Sequence, residues 1–181
     1  MNVSVNPLFP LRRTLASVLF ARAVKMSFTP LILGIGNPLR SDDGLGWAVA
    51  ERLAALDDLA CDIQMVHQLT PELAQQMAVA RLVVMIDASH EGDPGEVRIR
   101  LLSCAGQRPG AVGMHHMTPE ELVELTSAIY GHCPPVVVMT VTGTDFSLGE
   151  HLSPVVEQKM VLASAAVCQM VVRCQPFFGQ R

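Results

Sequence analysis

The run Leu31-Ile32-Leu33-Gly34-Ile35-Gly36-Asn37-Pro38-Leu39-Arg40-Ser41-Asp42-Asp43-Gly44-Leu45-Gly46 constrains the fold more than any other part of the chain. Apolar β-formers that end in glycine read as a buried parallel strand. Two adjacent carboxylates then stand where a helix should begin, and either can cap it. A further acid, Asp87, ends the apolar run Leu82-Val83-Val84-Met85-Ile86. In an open α/β sheet such strand ends lie side by side along one edge, and ligands bind there. Carboxylates from distant positions are thus expected in one crevice.

Periodicity extends this pattern along the chain. Strands are expected near residues 31–35, 61–67, 82–86, 96–101 and 135–141. The first helix is expected over 43–56, with Leu45, Val49, Leu53 and Leu56 on one face. Thr70-Pro71 and Thr118-Pro119 are helix starts, each pairing an N-cap threonine with proline in the first turn. A last helix runs from Ser153-Pro154 to about Cys174, its buried face drawn from Val156, Met160, Val167 and Val171. Within 96–101, Val97, Ile99 and Leu101 alternate with Arg98 and Arg100, the mark of an edge strand, read as antiparallel. Strands alternating with helices give an α/β fold: one three-layer α/β/α sandwich on a mostly parallel, twisted sheet of about five strands.

Composition excludes several classes. The chain has 181 residues, 50% apolar and 17% charged, with a net charge of −4. That is enough apolar surface for a folded domain, and no basic stripe marks it for nucleic acid. Cys61, Cys104, Cys133, Cys168 and Cys174 form no Cys-x-x-Cys. They read as buried free thiols of a reducing compartment, which places the chain in the cytoplasm. No run reaches the roughly 18–20 uninterrupted apolar residues of a membrane span. Residues 1–26 carry Arg12, Arg13, Arg22 and Lys25 and no acid. They read as a mis-called start or a disordered extension ahead of a domain over 27–181, with a peripheral arm or a targeting peptide as the other readings.

Gly34-x-Gly36 is not a dinucleotide fingerprint. The third glycine is replaced by Leu39, and Asn37-Pro38 keeps a helix from starting where a pyrophosphate would need one. Of the two aspartates, Asp42 reads as the cap or turn residue and Asp43 as a ligand, because Gly44 and Gly46 leave space beside it. Asp87, at a strand end and followed by turn formers, needs a cation, a donor or water if enclosed. His115-His116 precedes the helix that Thr118 caps. An imidazole with two carboxylates suits a borderline metal such as nickel, zinc or iron. His67, at another strand end, reads as a supporting partner of such a site. Neither a Gly-x-Ser-x-Gly elbow nor a His-Glu-x-x-His helix is present.

Four ordered motifs resemble those of the [NiFe]-hydrogenase maturation proteases. They are Gly34-x-Gly36-Asn37-Pro38-Leu39-x-x-Asp42-Asp43-Gly44-x-Gly46, Asp87-Ala88-Ser89-His90-Glu91-Gly92-Asp93-Pro94-Gly95, His115-His116-Met117-Thr118-Pro119-Glu120-Glu121-Leu122 and Gly143-x-x-x-Phe146-x-x-Gly149-x-x-Leu152-Ser153-Pro154. The resemblance covers about residues 31–172. It implies an aspartyl-type endopeptidase that activates a hydrogenase by removing the C-terminal peptide of its large-subunit precursor once nickel is inserted. The metal-contacting residues it implies fall on Asp43, Asp87 and His115, with His116 as the alternative in that register. The first of these positions is Glu in some members, and Asp43 shortens the reach by one methylene. Nickel would arrive with the precursor, and water activation falls either to a metal, which would also polarise the scissile carbonyl, or to Asp43 or Asp87 as general base. The alternatives are a non-catalytic, nickel-dependent checkpoint or binding factor, and a peptidase acting on another target.

Overall fold

Strands and helices alternate along the computed structural model, which describes residues 29–103 and 117–174. Strand β1 (Leu31–Ile35) leads through a 3-10 turn (Ser41–Gly44) into helix α1 (Leu45–Ala54). Then follow β2 (Asp62–Val66), α2 (Leu73–Val79), β3 (Val83–Ser89), β4 (Val97–Leu102), α3 (Pro119–Tyr130), β5 (Val136–Thr142) and α4 (Pro154–Cys174). The expected α/β class and the five strands are found, in one mixed sheet of order β2-β1-β3-β5-β4. β1 pairs in parallel with β2 and β3, β3 with β5, and the edge strand β4 runs antiparallel to β5.

Alternate residues of the central strands face opposite sides, as a pleated sheet requires. Leu31, Leu33, Val83, Met85, Val136 and Val138 bury against Leu73 and Met77 of α2 and Leu122 and Val123 of α3. Ile32, Val84, Ile86, Met139 and Val141 bury against Leu45, Val49 and Leu53 of α1 and Val156, Val167 and Val171 of α4. α4 is long and apolar enough to cross a membrane by length and composition. Its Val156, Ala163, Val167 and Val171 are instead spent on the core, with Met160 half-buried beside them.

Several elements depart from the sequence reading. The first helix is shorter than 43–56, its start being a separate 3-10 turn, and Leu56 lies beyond its end and is exposed. Thr70 does not cap α2. Pro71 and Glu72 form a preceding turn, with Leu73 N–H donating to the Thr70 carbonyl (3.1 Å). By contrast, Thr118 caps α3 in a complete capping box, its Oγ1 accepting from Glu121 N–H while the Glu121 carboxylate accepts from Thr118 N–H (2.8 Å). The edge strand has no dry face. Val97, Ile99 and Leu101 are exposed, Leu101 by 72%, and of β4 only Leu102 packs against the core. The cysteines are half-buried rather than buried at 61, 133, 168 and 174. Residues 1–26, Cys104, and the histidines His115 and His116 lie outside the described residues.

Candidate active site

The crevice forms where β1 stops and its neighbours continue. β1 pairs with β3 from Leu31↔Val83 to Gly34↔Ile86, then turns away at Gly36. β3 does not stop at Asp87, as the sequence suggested. It runs to Ser89 because β5 still pairs with it, from Asp87↔Thr140 to Ser89↔Thr142. Asp87 therefore stands one residue past the last β1 pair, on a strand held on its other side. The gap over the end of β1 is what its carboxyl faces.

The turn after β1 fills that gap. Gly36 has φ +127°, a conformation that side chains rarely adopt, and a Cβ there would lie 1.9 Å from the Asp43 carbonyl oxygen. The turn folds back so that Asn37 N–H donates to Asp43 Oδ2 (2.9 Å). Gly46 lets α1 sit directly on the sheet, since a Cβ would meet the Ile35 and Ile86 carbonyls at 2.3 and 2.4 Å. Sequence reading assigned this glycine to leaving room for a ligand. The space is occupied by backbone, and close packing of helix on strands is its use.

The two adjacent aspartates point to different places. Asp42 is wholly buried; it is a residue of the 3-10 turn, as one of its two sequence readings has it, and not a cap of the helix that follows, since no side-chain cap bond is made there. Its carboxylate accepts instead from Thr144 N–H (2.7 Å), Asp145 N–H (3.0 Å), Ser153 N–H (2.6 Å) and Ser153 Oγ (2.8 Å). It thereby ties the loop after β5, and the residue preceding α4, to the turn after β1. Burial pushes this carboxyl up, but the donors from Thr144, Ser153 and Asp145 outweigh it and hold it below the usual carboxylate value. Ser41 beside it takes φ +49°, with its N–H donating to the Gly149 carbonyl (2.8 Å) and its hydroxyl to the Ser147 carbonyl (3.2 Å).

Asp43 and Asp87 line one cavity of about 230 Å³ with His67, Gly36, Leu69 and Met117. Asp87 is pushed up to about 6. Burial is the main cause and the charge of Asp43 adds to it, while the Ala88 N–H (2.8 Å) and His90 oppose it. A carboxyl of that value exchanges protons near neutrality, as a general acid or base must. His90 itself is stacked on Phe146, ring centroids 3.6 Å apart. Among the described residues, no three His, Cys, Asp or Glu side chains converge closely enough to hold a bare metal ion. Two carboxylates in a cavity of this size fit a metal that arrives with ligands of its own. His132 is engaged elsewhere, its ring nitrogens against the Ala78 and Tyr130 carbonyls.

Solved structures give this arrangement a context. HycI, a [NiFe] hydrogenase maturation protease from Thermococcus kodakarensis KOD1, superposes with a TM-score of 0.61 at 22% identity, covering 85% of this chain and 99% of that one. The hydrogenase maturating endopeptidase HybD from E. coli does so with 0.63 at 24%, over 80% and 93%. This chain has their fold. A hydrogenase 2 maturation peptidase from Thaumarchaeota archaeon SCGC_AB-539-E09 gives 0.59 at 22%, over 81% and 99%. No protein-family model matches the sequence, and no curated protein matches it. Sequence reading placed Asp43 and Asp87 together, and they share a cavity. It missed the anchoring role of Asp42, whose partners lie more than a hundred positions away.

Proposed function

We propose that this chain is a cytoplasmic endopeptidase of the [NiFe]-hydrogenase maturation type, which removes the C-terminal peptide of a large-subunit precursor after nickel insertion. The observation that carries the reading is the cavity shared by Asp43 and Asp87, on a fold shared with HycI and HybD. Asp43, Asp87 and His115, with His116 as its alternative, would contact the nickel of the precursor. The metal is then part of the substrate, and a finished coordination sphere becomes the condition for cleavage.

Hydrolysis needs a water activated beside the scissile carbonyl and a proton for the leaving amine. Of the two candidate bases, Asp87 is the better suited, being poised at about 6 and half-buried. It takes the proton of the attacking water and returns it to the amine as the peptide bond breaks. Asp43, fixed by Asn37 N–H at Oδ2, lines the same cavity beside Asp87 and leaves its other oxygen free of that bond. A substrate-borne nickel supplies Lewis acidity at this position.

The test compares nickel-loaded and nickel-free precursor by mass spectrometry. Loss of a C-terminal peptide from the loaded form alone supports the proposal. A nickel-dependent complex without cleavage would replace it with the binding-factor reading.

A further inference from the structure

We infer that His67 is a third side chain of this site that meets the nickel-bearing segment, supplying an imidazole nitrogen opposite the two carboxylates. The inference rests on the function proposed above. Its basis is the order of the strands. β2, β1 and β3 are adjacent and parallel, and each delivers one functional residue at the same edge. Asp43 comes from the turn after β1, Asp87 from β3 on one side, and His67 directly follows β2 on the other. All three line the same 230 Å³ cavity.

His67 is also held in place. The carbonyl just before it, that of Val66, accepts from Gly36 N–H (3.0 Å) and from Trp47 Nε1 (3.1 Å). The two bonds fix the backbone at the point where the histidine leaves the strand. The Trp47 ring lies against the imidazole, centroids 5.0 Å apart and planes 32° apart. Trp47 thus restrains both the peptide and the ring while taking up neither ring nitrogen. Among the described residues neither ring nitrogen of His67 meets a hydrogen-bond partner, and a side chain immobilised in this way is how binding groups are preorganised. Plain aromatic packing against Trp47 is the competing account, and phenylalanine would satisfy it equally.

The experiment follows paramagnetic broadening in the ¹⁵N-labelled full-length chain titrated with nickel nitrilotriacetate, a nickel that brings ligands of its own and keeps open positions, as the site requires. The reporters are the amides of Gly36 and Leu69, which flank the cavity. Wild type, H67F and the double variant D43N/D87N are compared, with amide dispersion verifying that each is folded. The nickel needed to broaden both reporters should rise at least about tenfold in H67F, the lower end of what losing even an indirect metal partner costs. H67F should also lose cleavage of nickel-loaded precursor. Wild-type broadening in H67F, with a rise in D43N/D87N, overturns the role of His67 and leaves the proposed function standing. Wild-type broadening in all three proteins overturns the proposed metal-contacting role of the carboxylates, and this inference with it.

Discussion

Asp42 and Asp43 are chemically identical neighbours whose side chains leave one short turn in different directions. Asp42 meets only donors and is closed off from water. Asp43 meets one donor and a cavity. The predictions for the two therefore separate. Asp42→Asn loses the charge that several N–H and O–H groups converge on, and should destabilise by about 3 kcal/mol in urea melts. Asp43→Asn should melt near wild type yet cut precursor cleavage at least ~100-fold, the share general acid–base and charged groups commonly hold. If D43N cleaves at the wild-type rate, the assignment of this carboxylate to the site is wrong.

Elements place these residues, and glycines and caps place the elements. α1 approaches β1 and β3 so closely that Gly46→Ala would drive a methyl into two backbone carbonyls. We expect a loss of about 3 kcal/mol, the upper end for overpacking. Cleavage should fall as well, because α1 carries the Asp43 turn with it. Urea denaturation and the mass-spectrometric assay measure both. At α3, Thr118→Ala removes one half of a capping box and should cost about 1 kcal/mol with little effect on cleavage. The Thr118 start was legible because every partner lies within three residues. The Thr70 start was not, since the same threonine–proline pair here opens a turn, and only the placement of Leu73 against the core decides where α2 begins.

Over the whole molecule, Asp42 and Asp87 bias stability in opposite directions with pH. The folded value of Asp87 is raised from 3.8 to about 6, so its contribution is fully present below about 3.8 and is lost as pH rises through 6. The loss amounts to about 3 kcal/mol by linkage. Asp42 is lowered, so its contribution is present above 3.8 and is lost as pH falls through its folded value. Asp87→Asn should therefore flatten the decline between about pH 4 and 6 and leave the protein more stable than wild type at pH 7, while abolishing cleavage. Thermal melts across that range give the curve. An unchanged pH profile in D87N would show that its carboxyl is not held off its ordinary value.

Alternation of apolar runs with capped helical stretches was enough, by itself, to determine an α/β chain with five strands, and acids placed at strand ends beside a glycine turn were enough to expect Asp43 and Asp87 in one crevice. These follow from local forces: side-chain period, the conformational freedom of glycine, and capping within a single turn. Tertiary structure alone decided that β3 continues past Asp87, because β5 pairs with it there, and that the β4 row of Val97, Ile99 and Leu101 stays exposed. The sequence had already set Asp43 apart as the ligand and Asp42 as a cap or turn residue; tertiary structure decided that Asp42 is an anchor across the molecule. That role depends on donors from Thr144, Asp145 and Ser153, which no local pattern brings near Asp42; they arrive only when the loop after β5 closes on the turn after β1.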